Sequence, residues 1–89
     1  MTLIDKSFVG TICKDETSGW ACVFWLDSVE ALGTGKTVKV ICTVDGFPLE
    51  ATLMPSGNGC HFVPMKAATR KLLGKDIGDN VTVTIQSTR

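Results

Sequence analysis

Apolar and polar positions alternate with a period of two through most of the chain, in short runs broken by glycine, proline and aspartate. From Phe8 to Lys14, Phe8, Gly10 and Ile12 fall on one face and Val9, Thr11 and Cys13 on the other, the spacing of a strand rather than a helix. Lys14 to Gly19 supplies polar turn residues, and Trp20 to Leu26, rich in aromatic and β-branched side chains, returns as the second strand of a hairpin. Asp27 opens D-S-V-E, in which Asp27 can cap a helix and Glu30 favours its positive end; Gly33 to Gly35 ends that helix after Leu32. Val38, Val40, Cys42 and Val44 alternate with Thr37, Lys39, Ile41 and Thr43 in the clearest half-buried strand.

Asp45-Gly46 follows at once and predicts a two-residue hairpin, because a type I′ turn needs positive φ at both central positions. The returning strand places Leu49, Ala51 and Leu53 on one side. After the loop Pro55 to Gly59, a short strand runs from Cys60 to Val63, Pro64 fixes the chain before a helix over 66–73, and Gly74 is placed to end it. The turn Asp76 to Asp79 then delivers a last strand carrying Val81, Val83 and Ile85.

The order strand, strand, short helix, strand thus occurs twice, split near Asp45-Gly46. Phe8, Gly10 and Ile12 correspond to Leu49, Ala51 and Leu53; Cys22 and Phe24 to Cys60 and Phe62; Leu26 to Pro64; and Val38, Val40 and Cys42 to Val81, Val83 and Ile85. Either half alone leaves an apolar face and strand edges uncovered, so the expected fold is mainly β: a small six-stranded barrel closed by the two halves, with two short helices and pseudo-two-fold symmetry.

Eighty-nine residues make one domain, 1–89, and a composition 44% hydrophobic with mean hydropathy +0.22 is too apolar for disorder. No run reaches the roughly 18 apolar residues of a spanning helix, and residues 1–6 lack the features of a secretory signal. A cytoplasmic protein without membrane contact is the expectation. Residues 1–60 carry four Lys against seven Asp and Glu, and residues 61–89 five Lys and Arg against two Asp. That balance gives little of the counterion release that drives nucleic-acid binding, while a basic face could meet an acidic partner or a second copy. The cysteines, at 13, 22, 42 and 60, form no C-x-x-C pair and have only His61 beside them, so neither a metal nor a cofactor is expected.

Several motifs taken together, G-W at Gly19-Trp20, V-D-G-F-P at Val44 to Pro48, L-M-P-S-G-N-G-C-H-F-V-P-M-K at Leu53 to Lys66, then Arg70, Leu73-Gly74 and Gly78-Asp79-Asn80-Val81, resemble the domain-of-unknown-function family numbered 1905 over about Phe8 to Ile85. The resemblance implies a double-split type of β-barrel, an architecture also used by transition-state-regulator and antitoxin DNA-binding domains, and implies no reaction. The family's usual Leu-Pro before the first helix is replaced here by Trp25-Leu26.

Polar chemistry concentrates at His61, Lys66 and Arg70, the last two on one helix face at a spacing of four. The functional reading is an anion-holding or acid-base cluster; the plain structural reading is that His61 hydrogen-bonds a loop carbonyl and the two cations are a solvated face. Trp25, on the strand face opposite Phe24 with Ala21 and Val23, is expected to look outward with Ile41 and Met54, as a ligand or dimer surface that the helices could instead cover. No Ser-His-Asp or paired-carboxylate arrangement is present, and Asp76 and Asp79 read as turn residues. The expectation is a non-enzymatic binding module for a small anionic ligand or a protein partner, with self-association open. A nucleic-acid-binding domain is the alternative, and an enzyme using His61 or Cys60 a weaker one.

Overall fold

The structure, a computed structural model, describes residues 3–14, 19–56 and 59–89. The turn expected between Lys14 and Gly19 and the glycine loop around Gly57 therefore lie largely outside the described residues. The elements are β1 (Leu3–Thr11), β2 (Cys13–Lys14), β3 (Ala21–Trp25), α1 (Ser28–Leu32), β4 (Val38–Val44), β5 (Phe47–Pro55), β6 (His61–Pro64), α2 (Ala67–Leu73) and β7 (Asn80–Thr88). All ladders are antiparallel and the strands form one curled sheet in the order β1-β7-β4-β5-β6-β3-β2.

Among the described residues seven strands stand where six were expected, because the first is broken at Ile12. That residue leaves the ladder to bond the turn before β7: its N–H donates to Asp79 O at 2.9 Å and its carbonyl accepts from Gly78 N at 2.8 Å. Its side chain is fully buried. The chain bends at this point, so β1 pairs with β7 and β2 with β3, and the two outermost strands of the sheet are consecutive in sequence.

The Asp45-Gly46 turn has positive φ at both residues, 51° and 87°, as the type I′ hairpin requires. Gly33 and Gly74 end their helices in the left-handed conformation. Asp27 occupies the N-cap of α1 but its side chain makes no capping bond; only its carbonyl engages, accepting Ala31 N–H at 3.0 Å.

The concave face holds Val40, Cys42 and Val44 of β4, Ala51 and Leu53 of β5, and Val81, Val83 and Ile85 of β7, as the alternation predicts. In β3 the phase is opposite to the expectation: Ala21, Val23 and Trp25 enter the core and Phe24 is the half-buried outward residue. All four cysteines remain thiols, three of them buried. Among the described residues no helix is long and apolar enough to cross a membrane.

Candidate functional site

His61 lies on the inner face of β6, opposite Trp25 of β3, and is completely buried. Its polar atoms are held inside the fold. Its Nε2–H donates to the carbonyl of Lys36, in the loop between α1 and β4, at 2.7 Å. A carbonyl only accepts, so Nε2 bears a proton, and in the neutral ring Nδ1 accepts the Ser28 hydroxyl at 2.6 Å. The Ser28 Oγ in turn accepts the backbone N–H of His61, also at 2.6 Å. Ser28 is itself fully buried at the start of α1. The ring therefore ties the first helix and its following loop to the second half of the sheet, with both nitrogens occupied.

Trp25, 5% exposed, stacks flat on Phe8 with ring centroids 5.2 Å apart. The expected outward stripe through Trp25 is thus closed, and the residue after it, Leu26, is left to solvent instead. Of the two hollows beside Trp25, one is lined by Lys6 as well as by Asp27 and Glu30, and the other has Asp27 as its charged residue.

Lys66 and Arg70 come together elsewhere. Lys66 is the N-cap of α2 and Arg70 lies one turn on, and with Trp20, Pro64 and Met65 they line a pocket of about 320 Å³. No acidic side chain lines it among the described residues. Trp20 enters from the opposite side, at the start of β3, with more than half of its surface exposed. Arg70 is held by an ion pair with Asp76 at 2.8 Å, while its Nε is buried with no hydrogen-bond partner. The Asp76 carboxyl is held below the usual carboxylate range, first by the N–H of Ile77 and then by the Arg70 guanidinium. Asp79 accepts the N–H of Asp76 at 2.8 Å, so both carboxylates organise the turn.

Beyond Trp20, Pro64 and Lys66, which it shares, a second cleft of about 580 Å³ runs between β5 and α2 as far as Arg89. Arg89 reaches the outer face of β5, pairing with Glu50 at 3.4 Å and donating to the Ala51 carbonyl at 3.1 Å. The structure accordingly brings Lys66 and Arg70 together, leaves His61 and Trp25 in the interior, and adds Trp20 and Arg89. The placement of an aromatic at the rim of a polar turn was the signal for Trp20. For Arg89, separated from the site by the whole of β7, the sequence carries no local signal.

Cys60 is buried, with its sulfur 3.1 Å from the Ser56 hydroxyl. No cluster of three His, Cys, Asp or Glu is placed to hold a metal among the described residues.

The architecture is a curled, mainly β antiparallel sheet with two short helices and a basic cleft at one end. The chain belongs to the family described as Domain of unknown function (DUF1905), which it matches over residues 8–85. A search of curated proteins gave no match.

Proposed function

We propose that this domain is a binding module that holds a small anionic ligand, or the acidic group of a partner protein, in the pocket between Trp20 and the Lys66–Arg70 face of α2. The carrying observation is the composition of that pocket: an aromatic wall and two cations with no lining carboxylate, Lys66 being the one without an ion pair among the described residues while Arg70 is paired with Asp76. Such a site attracts negative charge and offers a flat apolar surface to the body that bears it. The interior position of His61, with both ring nitrogens engaged, counts against a catalytic role for it. Binding of nucleic acid rests on architectural analogy alone. A cytoplasmic setting, with no metal or cofactor, completes this reading.

We also read the sheet as a six-stranded barrel of the double-split type, with β1 and β2 as one bent strand and a two-fold repeat relating the halves. What supports this is the register of the β4–β7 ladder: Cys42 stands opposite Ile85, its own counterpart in the repeat, as an axis between the halves requires.

The test is titration with benzoate, indole-3-acetate and a nucleoside monophosphate, followed by tryptophan fluorescence with Trp20→Phe as the control for Trp25. Binding that weakens about tenfold or more in Lys66→Ala combined with Arg70→Ala is the expected result. Binding of equal strength in the double variant removes the site.

A further inference from the structure

The hairpin at Asp45-Gly46 fixes which backbone groups of β5 face outward. In a two-residue type I′ hairpin the flanking residues, here Val44 and Phe47, form a hydrogen-bonded pair. Bonded pairs then recur at every second position: Cys42 with Leu49, Val40 with Ala51, Val38 with Leu53. The N–H and C=O groups of Glu50 and Thr52, and the carbonyl of Pro48, therefore point away from β4. Proline fits such a position because no donor is needed there.

On that outer side β6 pairs only with Met54 and Pro55. By the same register Thr52 stands opposite Pro64, the last residue of β6, which has no N–H to give its carbonyl, and Glu50 lies beyond the end of β6; all three line the cleft of about 580 Å³. The matching edge in the first half is differently built. Gly10, the counterpart of Ala51, lets β1 lie so close to β3 that a Cβ there would collide with Val23 Cγ1. An unpaired edge offers donors and acceptors at the spacing of an extended chain, about 7 Å for every second residue. Among the described residues Lys66 and Arg89 line the cleft against a single acid, Glu50, which Arg89 already pairs, and Arg70, itself paired with Asp76, adjoins through the shared Lys66 and Trp20 wall, so Lys66 is the cation with no ion pair of its own.

We propose that the β5 edge at Glu50 and Thr52 is a docking site for an extended acidic peptide segment of a partner protein, which adds to the sheet as a further strand while its carboxylates meet Lys66, Arg70 and Arg89. This rests on the anion-binding reading above and names the partner's chemistry. Backbone pairing supplies affinity and the cations select acidic sequences. A small anion or a nucleic acid strand has no peptide groups to bond the edge.

The probe is a pool of capped octapeptides in which Glu alternates with Val, Thr or Leu, compared with the same pool methylated on every backbone nitrogen, with amide hydrogen exchange on the protein. The expected result is slowed exchange at the Glu50 and Thr52 amides with the unmethylated pool, with binding about tenfold or more weaker for the methylated pool and for Lys66→Ala or Arg89→Gln. Equal binding of the two pools, or binding of the small anions above without any peptide binding, overturns strand addition and leaves the anion site standing. Protection of the same amides that rises with protein concentration in the absence of peptide assigns the edge to a second copy and overturns the proposal. If neither peptides nor small anions bind, both readings fall.

Discussion

The hydroxyl oxygen of Ser28 lies 2.6 Å from the backbone nitrogen of His61 and 2.6 Å from its ring Nδ1. One buried side chain thus satisfies two polar groups on a residue 33 positions away, in the other half of the chain. Removing it leaves a buried donor and a buried acceptor without partners. Ser28→Ala should therefore cost about 2–5 kcal/mol in denaturant unfolding, far more than the loss of one exposed hydroxyl. The geometry also fixes the ring as the Nε2–H tautomer, which nitrogen chemical shifts will show directly. A mild effect of Ser28→Ala together with an Nδ1-protonated ring would mean that this contact does not order the fold.

A contact between residues 33 positions apart leaves no trace in local sequence pattern. The alternation of β4, β5 and β7 assigned Val40, Cys42, Leu53, Val83 and Ile85 to the core because one face of each strand is polar. In β3, Ala21 to Trp25 is apolar on both faces, so periodicity does not set the phase, and Trp25, expected to face outward, packs on Phe8. His61 stands out for its polarity, and the loop carbonyl expected as its plain partner is that of Lys36; the serine from a remote helix carries no local signal. Lys66 and Arg70 were legible as neighbours through their helical spacing. Trp20 carries only the signal of an aromatic at the rim of a polar turn, and Arg89 carries none, because strand pairing across the sheet brings it there.

Gly10 sits where β1 crosses β3, and an added Cβ would overlap Val23 Cγ1. Val23 is fully buried and has nowhere to withdraw to. Gly10→Ala should destabilise the domain by about 1–3 kcal/mol. Because the collision is with that one methyl group, Gly10→Ala combined with Val23→Ala should be less destabilised than the sum of the two single variants, a coupling that a double-mutant cycle in urea measures. Strict additivity would show that β1 and β3 are not in contact at this point.

The hairpin turn yields a graded series. Gly46 has φ of 87°, so Gly46→Ala should cost about 1 kcal/mol or more. Asp45 also has positive φ, and its Oδ1 accepts the Thr82 N–H at 2.8 Å, tying the turn to β7. Asparagine tolerates the same backbone and keeps an accepting oxygen, so Asp45→Asn should stay within about 0.5 kcal/mol of the parent. Asp45→Ala loses both advantages and should cost about 1–3 kcal/mol. Equal losses for the asparagine and alanine variants would remove the Thr82 contact from the account.

Cys42 gives the fold an alkaline limit. It is fully buried in the middle of β4, between Leu49 of β5 and Ile85 of β7. Burial pushes its thiol up from 9.0 to about 11, against a smaller opposing pull from the Arg89 guanidinium. Below pH 9 the thiol is neutral in folded and unfolded chains alike, and its contribution is fully present. Between pH 9 and about 11 the unfolded chain releases the proton while the folded one keeps it, so stability falls across that window. A shift of this size corresponds to about 2–3 kcal/mol. Urea unfolding from pH 8 to 11 should show Cys42→Val, which keeps a small apolar side chain but no proton to lose, declining less steeply than the parent protein. Parallel pH dependences for the two would show that Cys42 does not set the alkaline limit, and rapid labelling of Cys42 in the native protein at pH 9 would show that it is not sealed in the core.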